Sequence, residues 1–139
     1  MTDLSATWIH LVPSPVWEQQ RNNGTYLPEA YEADGFIHCT IGDGRMLAVA
    51  NMFYTGDRRP FLALSLDPAR ITSEVRFEDP DSVFPHIYGP LQVAAVTGHR
   101  LVARDDEGRF IRFSSVRPAG PEGPVSDVRR SLSDERSGR

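Results

Sequence analysis

The sequence contains no lysine: all 15 of its basic side chains are arginine. Without an amine there is no Schiff-base chemistry, no amine nucleophile and no phosphate-binding P-loop lysine. There is one cysteine, Cys39, which excludes an internal disulfide and a cysteine-based zinc cluster. No apolar run approaches the roughly 18 to 20 residues that a membrane-spanning helix needs. Met1 to Thr7 carries an acid and no base, so it does not read as a signal peptide, and a cytoplasmic protein with no membrane partner is expected. An excess of base is missing too. Against 19 acids, the 15 arginines leave a net charge of −4, which argues against duplex nucleic acid, a partner bound chiefly through its phosphates.

What is present fits one globular domain: 139 residues, 40% hydrophobic and 24% charged. The stretch from Pro118 to Arg139 differs from the rest. It has three prolines, a Ser/Asp/Arg mixture and only Val125, Val128 and Leu132 as sizeable apolar residues. It is expected to be a disordered tail outside a domain of residues 1–117, with a short helix over Ser126–Asp134 as the alternative. Four acids and four arginines make the tail neutral, so the charge of −4 belongs to the domain.

Within the domain, Trp8 to Val12 reads as a strand, and Ser14-Pro15 as the N-cap and first residue of a helix that Asn23-Gly24 stops. Phe36 to Cys39 is a second strand. Thr40 and Asp43 resemble a capping box, followed by Met46, Val49, Ala50 and Phe53 on one helical face, with Gly56 as the stop. Phe61 to Leu66 suits a strand covered on both sides. Val75 to Phe77, Leu91 to Val96, His99 to Ala103 and Arg109 to Phe113 complete the set, with a turn at Asp105 to Gly108. This order makes the chain α+β.

Chemistry falls to the histidines. His10 lies between Ile9 and Leu11 in one strand, and His38 between Ile37 and Cys39 in another, so both imidazoles point away from apolar neighbours. If the two strands pair, the rings share a cleft; the plain alternative is a pair of half-buried strand residues. Phe84 to Pro90 is bracketed by Pro85 and Pro90 and contains Gly89, which describes a rigid loop presenting His86 and Tyr88. His99 reads as an ordinary strand residue. Tyr26, just after Gly24, either stacks on a flat ligand or covers the core edge. Cys39 faces away from His38 and is badly placed for a thiol nucleophile. Histidines at 10, 38 and 86 could share a metal, yet they lack the short spacing of typical ligand pairs, and no metal ligand is assigned.

Taken together, Ile9-His10, Trp17, Gly24-x-Tyr26-x-Pro28, Gly35-Phe36-Ile37-His38-Cys39-Thr40, Ala50-Asn51-x-Phe53-Tyr54 and Phe84-Pro85-His86-Ile87-Tyr88-Gly89-Pro90-Leu91 resemble the family called domain of unknown function 952, with Phe77-Glu78-Asp79 as its acidic strand end. The resemblance spans about residues 8–113. More distantly, the chain looks like the ADP-ribosyltransferase fold, nearest to the NAD-dependent RNA 2′-phosphotransferases. That likeness implies a small, split or curved mixed β-sheet with two main helices, NAD as cofactor, and roles for His10 and His38; with His86 of the rigid loop they make the expected catalytic set. It would place His10 on a ribose hydroxyl, His38 near the nicotinamide ribose, and Tyr26 or Tyr54 on the nicotinamide ring, with Tyr88 also at the cofactor. The RNA-processing branch relies on an arginine-rich companion domain that has no counterpart in these 139 acidic residues, which makes RNA 2′-phosphate a poor expectation for the substrate. Glu78 is the candidate for the glutamate of the protein-modifying branches. The expectation is an NAD-binding or ADP-ribosyltransferase-like enzyme acting on a small-molecule or nucleotide ligand. The alternatives are a metal-dependent hydrolase built on the three histidines and a non-catalytic ligand-binding or interaction domain.

Overall fold

A computed structural model describes residues 6–115 and 117–118. β1 (Trp8–Pro13) runs directly into α1 (Ser14–Gln20). The capping position belongs to Pro13, which has no side-chain cap, so Ser14 is the first helical residue and not the cap expected of it. Its amide donates instead to the Pro60 carbonyl at 2.8 Å, satisfying one of the donors a helix start leaves unpaired. After β2 (Thr25–Tyr26) come α2 (Tyr31–Asp34), β3 (Ile37–His38), β4 (Thr40–Ile41) and α3 (Asp43–Phe53). Gly42 caps α3 without a side-chain bond and Thr40 sits in β4, so the expected capping box does not form. The helix closes at Tyr54, before Gly56.

The rest of the chain is mostly strand: β5 (Phe61–Leu66), β6 (Glu74–Phe77), β7 (Pro85–Tyr88), β8 (Leu91–Gln92), β9 (Val96–Arg104), β10 (Phe110–Phe113) and β11 (Arg117–Pro118). Two expectations change here. The run Leu91 to Val96 is interrupted by a 3₁₀ turn at Val93–Ala95, and the expected loop Phe84 to Pro90 contains a strand, β7. β11 marks the end of the described chain. Apart from Pro118, the expected tail and its alternative helix lie outside the described residues.

The fold is α+β. Its main sheet is curled, in the order β10-β9-β5-β1-β4, with β11 also paired to β9. Two small sheets, β2-β8 and β3-β7-β6, accompany it. Every pairing among the described residues is antiparallel, so the sheet is not mixed. Only β6–β7 and β9–β10 are joined by short loops; the other antiparallel neighbours are brought together from segments far apart in sequence.

Strand alternation sorts the core into two layers. Ile9 with Ala63, and Phe61 with Phe110, face α3 and meet Met46 and Ala50. On the opposite face Val12, Leu62, Leu64 and Leu66 meet Val16 and Trp17 of α1, Tyr26, and the inner residues Ile37, Ile87 and Leu91 of the small sheets. β5 lies between the layers, and all six of its residues are buried. Phe53, expected on the inner helical face, is 68% exposed; the half-buried Tyr54 packs against that core in its place. Asn51 fastens α3 to β10 in both directions, its amide nitrogen donating to the Phe110 carbonyl at 3.0 Å and its oxygen accepting from the Phe110 amide at 2.7 Å. No helix among the described residues is long and apolar enough to cross a membrane.

Candidate functional site

The residues from Phe36 to Ile41 form one extended passage that changes sheets. Ile37 and His38 pair with β7, whereas Thr40 and Ile41 pair with β1. Cys39 is the crossing point, and its amide donates to the Pro85 carbonyl at 3.1 Å. Its thiol is buried, which pushes its pKa far up and leaves it protonated and unreactive. The strands bearing His10 and His38 are therefore not neighbours: β1 pairs with β4 and β5. The residue directly opposite His38 is His86.

His10 lies inside the core, at 5% exposure. Its Nδ1 is 2.7 Å from the main-chain oxygen of His38, and its Nε2 is 2.8 Å from the Tyr26 hydroxyl. A carbonyl can only accept, so the proton is on Nδ1, and Nε2 accepts from the tyrosine. Burial lowers the pKa of the ring to about 4, against the bond to the His38 carbonyl, which raises it. Tyr26 is likewise buried, and the loss of solvent raises its pKa, with Cys39, Glu29 and Tyr54 adding to the effect. Both nitrogens of His10 are thus occupied by protein, which accounts for a buried polar ring at no cost in unpaired groups.

The side chains of His38 and His86 point the other way, to the outer face of the three-stranded sheet. In that sheet Ile37, Ile87 and Val75 form a cross-strand row turned toward the core. One step along, His38, His86 and Arg76 form the next row, on the outside. Tyr88 and Glu74 face each other on the other side of the Ile37 row. The imidazole centres of His38 and His86 are 5.7 Å apart, with planes at 69°. Phe36 stacks on His86 at 4.0 Å and 18°, and its ring is 4.6 Å from that of His38 and 5.3 Å from that of Tyr88. The Arg76 guanidinium lies 4.3 Å over the Tyr88 ring and is paired to Glu74 at 2.9 Å.

Each outer histidine has a carboxylate behind it. Asp34 Oδ2 is 3.0 Å from His38 Nε2, and Glu78 Oε1 is 2.9 Å from His86 Nδ1. Glu78 also accepts a bond from the Tyr88 hydroxyl at 2.6 Å. The bonds from Tyr88 and then His86 hold the Glu78 carboxyl below its usual range, and the same bond raises the Tyr88 pKa. Carboxylates accept, so they place the protons on His38 Nε2 and His86 Nδ1. The other nitrogens, His38 Nδ1 and His86 Nε2, have no hydrogen-bond partner among the described residues, and in the neutral rings they carry the lone pairs. The His38 side chain is 53% exposed and that of His86 20%. Three carboxylates (Asp34, Glu74, Glu78) face one guanidinium (Arg76), so with neutral imidazoles the outer face carries 1 − 3 = −2.

The backbone makes this arrangement possible at two glycines. α2 ends on Gly35 at φ +81°, a left-handed cap that turns the chain so that Asp34 and His38 meet. Gly89 ends β7 at φ +139°, and a Cβ there would stand 2.6 Å from the Ser73 hydroxyl oxygen.

His38, His86 and Tyr88 are therefore together; His10 and Tyr26 form a separate pair inside, joined to the outer group through the backbone of His38. Tyr54 stands at the end of α3 against Phe61, 5.9 Å between rings; burial raises its pKa, and the Asp34 charge raises it further. Among the described residues no three His, Cys, Asp or Glu side chains are placed to hold a metal ion, so the three-histidine metal centre is not formed. The sequence alone does not single out Asp34 and Arg76. A carboxylate four residues before His38 was the available signal for one, and the alternation of Val75-Arg76-Phe77 for the other.

The family described as a protein of unknown function, DUF952, matches residues 11–99. This chain belongs to the DUF952 family. Among solved structures, the DUF952 chain is similar to protein CC0527 from Caulobacter crescentus. Its crystal structure is 21% identical with a TM-score of 0.64, over 76% of this chain and 93% of that one, and a double mutant of CC0527 gives the same values. The solution structure of CC0527 is 23% identical with a TM-score of 0.59, over 73% and 89%. At this identity the likeness shows the fold. A search of the curated proteins gives no match.

Proposed function

We propose that this DUF952 protein binds a nucleoside-type ligand, with NAD the first candidate, on the outer face of the β3-β7-β6 sheet. The observation that carries the reading is the cross-strand pair of His38 and His86, each with one nitrogen held by a carboxylate and one lone pair free. Neutral imidazoles that both donate and accept suit vicinal ribose hydroxyls. Phe36 and Tyr88 supply aromatic surface beside them. The charge of the face selects which end of NAD it takes. A surface with two more negative than positive groups repels the diphosphate and favours the cationic nicotinamide riboside end. In this reading His10 and Tyr26 act from inside, holding the main chain of His38 in place, and Tyr54 lies at the border, within reach of the Asp34 charge.

Isothermal titration of the full chain with NAD is the direct test. Binding is expected, with a loss of at least tenfold in His38→Ala and His86→Ala and little change in His99→Ala. No heat of binding at millimolar NAD, or affinity indifferent to both outer histidines, would overturn the reading. Chromatography of the same samples for released nicotinamide separates an enzyme from a binding domain.

A further inference from the structure

We propose that His38 and His86 form a two-imidazole site for a divalent transition-metal ion such as zinc. It stands apart from the reading above, since the metal site requires no nucleoside ligand.

Four features carry it. The first is separation. With a zinc–nitrogen bond of about 2.0–2.1 Å, the metal sits roughly 3.2 Å from each imidazole centre, and a tetrahedral angle then puts two centres about 5.2 Å apart. The observed centres are 5.7 Å apart with planes at 69°, close to that spacing. The second is the free lone pairs at His38 Nδ1 and His86 Nε2, which are the donors a metal needs. The third lies behind the rings: metal-binding histidines characteristically donate their other N–H to a carboxylate, which orients the ring and raises its basicity. Asp34 and Glu78 occupy those places. The fourth is charge. The face is negative, which draws a cation, and Arg76 is neutralised by Glu74 at 2.9 Å.

The stacking of Phe36 on His86 fixes the plane of one ligand in advance. Imidazole donors select zinc, copper or nickel over magnesium and calcium, which prefer oxygen. No third protein donor joins the pair among the described residues, so the remaining coordination positions are open to water or to a hydroxyl of a bound molecule. This is a different constellation from one built on all three sequence-selected histidines, because His10 has both nitrogens committed in the core.

Untagged full-length protein stripped with a chelator and titrated with zinc alone tests the site. One zinc per chain is expected. His38→Ala and His86→Ala should each weaken binding by at least tenfold, and Glu78→Gln by about tenfold through the orientation of His86. His99→Ala, in β9, should leave it unchanged. Circular dichroism confirms that each variant is folded; if an alanine variant is not, the glutamine substitution at the same position replaces it. Calcium should not compete. Absence of binding at millimolar zinc, or binding that survives loss of both outer histidines, would overturn the site. NAD binding that persists without zinc binding removes the metal site alone, and zinc binding without NAD binding removes only the nucleoside reading.

Discussion

A histidine buried as deeply as His10 makes stability depend on pH in a definite direction. Its pKa falls from 6.5 to about 4 on folding. Between those values the unfolded chain binds more protons than the folded one, so stability rises with pH across the window. The contribution is complete above about pH 6.5, shrinks as pH falls toward 4, and amounts to on the order of 3 kcal/mol. The carboxyls of Glu78 and Asp79 are also held low, by bonds from Tyr88 and from the Val83 amide respectively. Their contributions are present above their ordinary values of 4.5 and 3.8 and are lost only below them. The range from pH 6.5 to 5 lies above those carboxyl values, and the His10 variant assigns the change there. Urea unfolding at pH 7, 6 and 5 should show stability declining, and His10→Gln should remove most of that decline while lowering stability at pH 7. Equal slopes in the two proteins would refute the assignment. His38 and His86, with side chains 53% and 20% exposed, are the histidines that both proposals assign to a ligand.

The link between α3 and β10 rests on one side chain. Asn51→Ala deletes two hydrogen bonds and strands the Phe110 amide and carbonyl beside a buried ring, so a loss of about 1–3 kcal/mol is expected in urea unfolding. Asn51→Asp keeps only the acceptor and should fall between. Elements differ in how far the sequence discloses them. β5 is evident because a six-residue run in which only Ser65 is polar has few places to be except between two layers. β7 was concealed by its punctuation: Pro85 and Gly89 suggested a loop, yet proline is tolerated as the first residue of a strand, and Gly89 lies just past the last. Alternation correctly turned His38 away from Ile37. It could not say which strand would lie alongside, since register between segments some fifty residues apart is set by tertiary packing. Asp34 and Arg76 escaped notice because a surface charge carries no local signature; only the pairing across strands gives them a role.

At the scale of the molecule, the two covered layers about β5 and the solvent-facing small sheet differ in stability. Amide hydrogen exchange should show the slowest protons in β5, whose six residues are all buried and which is paired on both edges, by β1 and β9. The amides of β6, none of whose residues is fully buried, should exchange sooner. Simultaneous exchange of both groups would mean that the chain opens only as a whole. Zinc or NAD should slow exchange chiefly in β3 and β7, which connects each binding proposal to a map as well as to an affinity.

The sheet change at Cys39 divides labour along a single strand of chain. Ile37 belongs to the core and His38 to the surface, and the same division repeats at Val75 and Arg76 and at Ile87 with its flanking residues His86 and Tyr88. The outer face is therefore a panel whose composition can be rewritten without disturbing what holds it. A library randomised at positions 38, 76, 86 and 88 should yield mostly soluble, folded chains, whereas one at 37, 75 and 87 should yield few. Under the proposed function, such a panel exchanges one ligand preference for another through a handful of codons while the scaffold beneath it stays constant.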